Sequence, residues 1–489
     1  MAGKVRLQIS GGPMKGRVFT FEKHDSFLFG RKSDCHAHLS DDPEVSRHHF
    51  ILEVNPPKVM VKDLGSLNGT YVNGVKYGSR LRTETPEEGA RHNHPMMSLS
   101  DGDQLKVGRT VMQVEIEMPP ICSLCGRVME GAPKNGKKPI CTKCQLGIES
   151  GETKVSEPGV PHCVKCGKEF EPAGPIPPGE AAICPNCEAG VRADPFEVLK
   201  ENLSWNEDPL ALVDTESVIT RFSLIRKLEE GECWADYLVR DRRTGDRARL
   251  KVLLAQVIVG DHEREDFTDT LTAIVELRHA GVVPVLEFGQ AGSAFWVLSE
   301  HCPDGSLSAL MKRSGGYLPR DTAVSIVLNA LEGLQYVHDE GLVHRDIKPS
   351  SLMVFQQPGK MVGMLAEPGV MFHFDMAGFS GMSLTTPSEE GASFMAKEQI
   401  THFREGNPLS DVWSMGAVLY FALTGKAPRD DSEGADQTRT ILRGGVIPIR
   451  TVNSSIPESL AAVIDKAVMD EPELRFKTAA DFHDALKNA

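Results

Sequence analysis

Apolar and polar residues alternate over short runs at the start of the chain. VRLQI at 5–9, RVFTF at 17–21, FILEV at 50–54 and VMVKDL at 59–64 are each bounded by Gly, Pro, Asn or Asp. A period of two predicts strands with one buried face, and many short strands between turn residues predict an all-β sandwich. The dipeptides Asn68-Gly69 and Asn73-Gly74 read as turns that favour positive φ. Around residues 119–190 this alternation gives way to short Pro- and Gly-rich units, and 191–216 reads as a linker with one short helix. Further on, the apolar stretch from Val412 to Leu423 predicts a buried helix, because it falls short of the roughly 20 residues needed to span a bilayer.

With 489 residues the chain exceeds what one hydrophobic core organises, so about three domains are expected. Its 40% apolar and 25% charged residues are those of ordinary globular protein. The start MAGKVRLQIS lacks the apolar core of a signal peptide, which places the expected site of action in the cytoplasm, with no membrane partner. A net charge of −14 disfavours nucleic acid as the main partner, since phosphate backbones are bound by surplus Lys and Arg; a local basic patch stays open.

Of eleven cysteines, Cys35, Cys233 and Cys302 read as buried small hydrophobes. The other eight form four C-x-x-C pairs inside an internal repeat: CSLCGR and CVKCGK open the two copies, ICTKCQLG and ICPNCEAG close them. The gaps within the copies are 15 and 17 residues and the gap between copies is 18, so spacing alone leaves the pairing open. The repeated openings and closings favour Cys122, Cys125, Cys141 and Cys144 around one Zn²⁺ and Cys163, Cys166, Cys184 and Cys187 around a second. Interleaved pairs, iron in place of zinc, and disulfides are the alternatives. The units are similar to zinc ribbons, small β-ribbon folds stapled by metal, and also to rubredoxin-type knuckles.

FGRKSDC, SRHHF and DLGSLNGTYVNG follow one another within residues 1–118 in the order and spacing of a forkhead-associated (FHA) domain, which the segment resembles. The resemblance implies a β-sandwich whose end loops bind phosphothreonine-containing proteins. Arg31 and Ser46 match the phosphate contacts, Arg47 a helper and Asn68 the residue that grips the peptide backbone, while Gly30 and His49 shape the loops. A guanidinium fork with hydroxyl and amide donors on rigid loops is what a phosphate requires. The insertion TETPEEGARHNHPMM is expected to reshape one edge of the sandwich.

Residues 217–489 resemble a bacterial-type serine/threonine protein kinase, an α+β fold of two lobes. LEEGECWADYLVRDRRTG matches the glycine-rich hairpin, RARLKVL the lysine strand and VLSEHCPDGSL the hinge, with Glu300 its first residue. HRDIKPSS matches the catalytic loop, FDMAGFS the metal-binding motif and FMAKEQI the end of the activation segment. The resemblance assigns Lys251 to the phosphates, Asp346 to the substrate hydroxyl, Lys348 beside it and Asp375 to the metal, and it expects Arg475 to pair with Glu398. Serines and threonines between Ser380 and Ser393 would take activating phosphates near Arg345.

The departures are many. Only Gly231 of the loop glycines is kept, with Glu229 and Trp234 in the other places; Thr270 stands where a helix glutamate should brace Lys251, and Asp266 or Asp269 would serve only after a register shift. Ser351 replaces the Asn that holds a second Mg²⁺, although a hydroxyl can still ligate magnesium. Ala377 replaces the motif glycine, Gly391 a threonine and Lys397 a proline. Asp236 and Arg249 take two positions that cover adenine, and Arg249, two residues before Lys251, points into the same cleft. Burial of either charge alone is costly, so the two are expected to pair and fill the adenine space, the alternative being that both reach solvent. The expected protein is a signalling scaffold: a phosphothreonine reader, a double zinc module and a pseudokinase that docks other proteins, a kinase or phosphatase among them. The rival is an active kinase using ATP and Mg²⁺ on primed substrates, and a more distant one a zinc-ribbon nucleic-acid binder.

Overall fold

A computed structural model describes residues 4–33, 35–56, 58–84, 94–117, 184–185, 194–199, 221–256, 261–291, 294–381, 389–429 and 437–489. Seven of the eight paired cysteines, and most of the insertion after Arg82, lie outside the described residues. Cys184 is within them, buried beside Phe196, Val198 and Leu199. Among the described residues no helix is long and apolar enough to cross a membrane.

Eleven strands form the amino-terminal sandwich: β1 (Lys4–Gly11), β2 (Val18–Phe21), β3 (Asp25–Gly30), β4 (Ala37–His38), β5 (Phe50–Asn55), β6 (Lys58–Asp63), β7 (Thr70–Val72), β8 (Val75–Tyr77), β9 (Met97–Leu99), β10 (Gln104–Val107) and β11 (Thr110–Glu117). One sheet runs β2-β1-β11-β10-β7-β8 and the other β4-β3-β5-β6-β9. The alternating residues Val5, Leu7 and Ile9 face Phe29, Phe50 and Leu52 across a shared core. Asn73 (φ 49) and Gly74 (φ 81) close the β7–β8 hairpin with the two positive φ values that a tight turn needs.

A third sheet, β12-β13-β14-β16-β15, forms the small lobe of the carboxy-terminal domain, from β12 (Phe222–Glu230), β13 (Trp234–Asp241), β14 (Arg247–Leu254), β15 (Val285–Ala291) and β16 (Ala294–Glu300). Helix α1 (Asp261–Glu276) lies on it. Residues 195–199, expected within a linker, are helical and packed on this sheet: the Tyr237 hydroxyl donates to Asp194 (2.9 Å) and accepts from the Phe196 amide (3.1 Å).

The large lobe is built from α2 (Leu307–Arg313), α3 (Arg320–Asp339), the β17 (Leu352–Gln357) and β18 (Lys360–Leu365) hairpin, and α4 (Val370–Met376). It continues through α5 (Glu389–Ala392), α6 (Glu398–Thr401), α7 (Pro408–Thr424), α8 (Gln437–Arg443), α9 (Ile449–Val452), α10 (Glu458–Ala467) and α11 (Ala479–Lys487). The apolar stretch expected to be a buried helix is α7, capped by Asn407 and stopped by Gly425 in the left-handed region (φ 69). It is apolar all round because neighbours surround it, with Trp413 donating to the Val468 carbonyl at 2.8 Å. Arg475 is fully buried on Glu398, the pairing expected for these two.

Candidate functional site

The loops at one end of the sandwich gather Arg31, Ser46, Arg47 and Asn68. Main-chain bonds hold them: the Arg31 amide donates to the Ser46 carbonyl (3.0 Å) and the Lys32 amide to the Arg47 carbonyl (3.1 Å). The Ser46 hydroxyl accepts from the Leu67 amide (3.1 Å), and the Asn68 side chain donates to the Glu44 carbonyl (2.7 Å). Behind them His49 is fully buried, accepting the Ser46 amide at 3.0 Å. Gly30 is required by crowding, since a Cβ there would lie 2.1 Å from the Arg47 carbonyl oxygen. Both guanidinium groups, of Arg31 and Arg47, are exposed and have no ion-pair partner among the described residues. The result is a rigid frame with two open cations at its rim.

The cleft between the lobes is different. Lys251 and Arg249 stand two residues apart on β14 and face the same way, with Asp236 directly across from Lys251 on β13. Asp236 has no exposed surface and pairs with Arg249 and, at 3.0 Å, with Lys251. Lys251 also lies 3.3 Å from Glu367, whose other oxygen is 4.0 Å from Arg249. Two cations and two carboxylates thus balance. Burial alone would raise the Asp236 pKa, but the Arg249 and Lys251 charges hold its carboxyl below the usual range; burial opposes the Arg249 charge, and Asp236 and Glu367 more than restore it. Arg249 further reaches the Met353 sulfur at 3.6 Å, spanning the cleft. The Trp234 ring covers the Lys251 ammonium at 4.1 Å, and its indole occupies the space above Gly231, where a Cβ would meet it at 2.0 Å.

About 30 Å³ remains free among Trp234, Arg249, Lys251, Asp346, Ser351 and Glu367. That admits a water or two, against the several hundred Å³ typical of small-molecule sites. A nucleotide does not fit this arrangement. The Ser351 hydroxyl, expected as a magnesium ligand, is engaged with the main chain of Lys348, as acceptor from the amide and donor to the carbonyl (3.0 Å each). Glu300 is exposed, and its amide donates to the Pro284 carbonyl at 3.0 Å.

Two expectations need correction. Asp375 was the carboxylate expected to bind metal, but it lies in α4, where its carbonyl receives His24 Nδ1 at 2.6 Å and burial pushes its carboxyl up to about 7. Glu367, two residues past β18, takes the place beside Lys251. Consequently the motif reads Glu367-Pro368-Gly369, and its glycine is kept: Gly369 has φ 79, and a Cβ there would lie 2.9 Å from the Val343 carbonyl. The helix α1 sends no carboxylate to Lys251; Asp266 instead faces His262 at 3.5 Å on the solvent side.

The catalytic loop itself is well held. The Asp411 carboxylate accepts the His344 and Arg345 amides at 2.8 and 2.7 Å and His338 at 2.9 Å, fixing Arg345 at a positive φ of 63. Asp346 pairs with Lys348 at 3.0 Å. The Arg345 guanidinium donates to the Phe403 (2.6 Å) and Glu405 (3.4 Å) carbonyls and lies over the Phe372 ring at 4.7 Å.

Comparison with known proteins agrees with both domains. The Protein kinase domain family matches residues 222–486, more than half of the chain, and the chain belongs to that family. The FHA domain family matches residues 27–108. Serine/threonine-protein kinase PknA of Nostoc is 28% identical over 55% of this chain and 47% of its own length. PknF of Mycobacterium tuberculosis is 28% identical over 55% of this chain and 56% of its own. The chain therefore spans about half the length of these relatives. The solved kinase domain of M. tuberculosis PknI is 21% identical, covering 55% of this chain and 96% of that one, with a TM-score of 0.42.

Proposed function

We propose that the chain is a signalling scaffold: its FHA domain binds phosphothreonine-containing proteins through Arg31, Ser46, Arg47 and Asn68, and its kinase-like domain is a pseudokinase. The observation that carries the second half is the charge cluster of Asp236, Arg249, Lys251 and Glu367, which fills the nucleotide cleft and balances its own charge. Phosphoryl transfer depends on positioning and on neutralising phosphate charge. Here the cation that would do so is already neutralised, and the space for the base is taken by a guanidinium. Asp346 and Lys348 remain together, but a base without a bound phosphate donor has nothing to deprotonate toward.

Purified protein in a thermal-shift titration should show no saturable stabilisation by ATP with Mg²⁺. Radiolabelled ATP should give no incorporation above an Asp346→Asn control. Low-micromolar ATP binding, or incorporation that vanishes in the control, would establish the active kinase instead.

The eight cysteines from Cys122 to Cys187 are proposed to hold two Zn²⁺ ions, with one site per repeat, as a structural or partner-binding module. Metal analysis of the purified chain should return two tightly bound zinc ions; fewer would reject the two-site arrangement. The acidic balance of the chain keeps nucleic acid from being the expected partner of this module.

A further inference from the structure

The two sheets of the sandwich differ on their outer faces. That of β1 and β11 carries Arg6, Gln8, Gln113 and Glu115, as a solvated antiparallel sheet should. That of β3 and β5 carries Leu28 and Ile51, which are 1% and 0% exposed although they point away from the sandwich core. With Cys35 and Leu64 they form one buried cluster whose other half is Ala392, Ile400, Ile441 and Leu442 of the kinase-like domain. The cover is thus the chain itself.

Polar contacts frame the cluster. The Ser26 hydroxyl donates to the Ile400 carbonyl, Asn55 to that of Gly378 and Lys58 to that of Gly381, each at 2.9 Å. From the other side Arg404 donates to the His24 carbonyl at 2.8 Å, and His24 Nδ1 donates to the Asp375 carbonyl. These bonds satisfy carbonyls of an irregular segment that would otherwise need water. The same segment holds the catalytic loop, because the Phe403 carbonyl receives Arg345 and the Phe403 ring lies 6.2 Å from that of His24.

We propose that the FHA sandwich is the resident partner of the kinase-like domain: the outer face of β3 and β5 is built to cover residues 375–381 and 392–404 together with α8, closing that face to other proteins. Arg31 and Arg47, at the rim of the same sandwich, stay open to solution. The chain therefore reads phosphothreonine with one domain while the other is sheathed. This goes beyond the scaffold reading and does not depend on whether the cleft takes ATP.

The test is hydrogen exchange on the full chain, wild type against Leu28→Glu. A carboxylate placed in the apolar cluster should release the sandwich and raise exchange at residues 395–404 by about tenfold or more. Gln113→Glu, on the opposite outer face, should leave that segment unchanged. Protection of the β1 and β11 amides is the control for folding; if Leu28→Glu loses it, the Asn55→Ala/Lys58→Ala chain, which removes only peripheral contacts, is measured by the same criterion. Faster exchange at 395–404 with the sandwich intact supports the sheath. Wild-type exchange there, with the sandwich still protected, overturns it.

Discussion

Arg31 holds the phosphate reading of the sandwich in one side chain. It is exposed, it lacks an ion-pair partner among the described residues, and only its main chain is tied into the loop frame. Replacing it by Ala removes a charge and no packing. Calorimetry with a phosphothreonine peptide should show a loss of more than about tenfold in affinity, as expected for a charge-assisted bidentate contact, while the melting temperature stays where it was. This residue and its neighbours were legible because three short motifs fell in register over a β pattern. Glu367 was not. The first Asp after Asp346 is Asp375, 29 residues on, whereas Glu367 stands 21 residues on and two past a strand. The spacing favoured Glu367; the residue type concealed it. Cys302 is buried, as the composition suggested, and burial pushes its thiol up to about 12, away from the thiolate that reacts.

At the scale of elements, the β13–β14 ladder decides what the cleft can hold. Period-two alternation places Arg249 and Lys251 on one side of β14, and opposite strand register places Asp236 against them, so the ion pair is readable in the sequence. The contribution of Glu367 is not, since it needs the β17–β18 hairpin to deliver it from the other lobe. Removing Asp236 alone leaves two buried cations with one fewer counter-charge. Asp236→Ala should cost about 3–5 kcal/mol in denaturant unfolding. The joint change Asp236→Val with Arg249→Ala removes both partners, and should be near neutral in the same measurement while widening the cleft. A double variant as unstable as the single one would show that the pair is not the unit argued here. The alternation rule also failed informatively in β5, which reads FILEVN and is buried on both faces. An outward Ile51 was the trace, in sequence, of a second domain lying on that sheet.

Across the whole molecule, the seam between domains places titratable groups where water is scarce. Asp25 is the clearest: burial pushes its carboxyl up to about 6, with Glu405 acting the same way and the Ser26 amide, Arg404 and His402 against. A pKa raised above the ordinary value means the folded chain prefers the protonated form. That contribution is complete below about pH 4 and is lost as pH rises through 6. Asp25→Asn keeps an acceptor for the Ser26 amide (2.8 Å in the wild type) and removes the charge. Thermal melts should find the variant more stable than wild type at pH 8, by about 1 kcal/mol after allowing for partial exposure, with the difference gone at pH 4. A difference that grows toward low pH would contradict the assignment. The FHA domain and the kinase domain were both legible from patterns along the chain. How the two domains lie together was not, because that depends on the match of two surfaces far apart in sequence.

The engagement of Arg345 has one more outcome. Its guanidinium is spent on two main-chain oxygens and an aromatic face, so Arg345, the cation expected to meet phosphates on the serines and threonines between Ser380 and Ser393, is already engaged. The arginine of the catalytic loop is thus anchored by the backbone of the lobe that it would otherwise be free to reorganise.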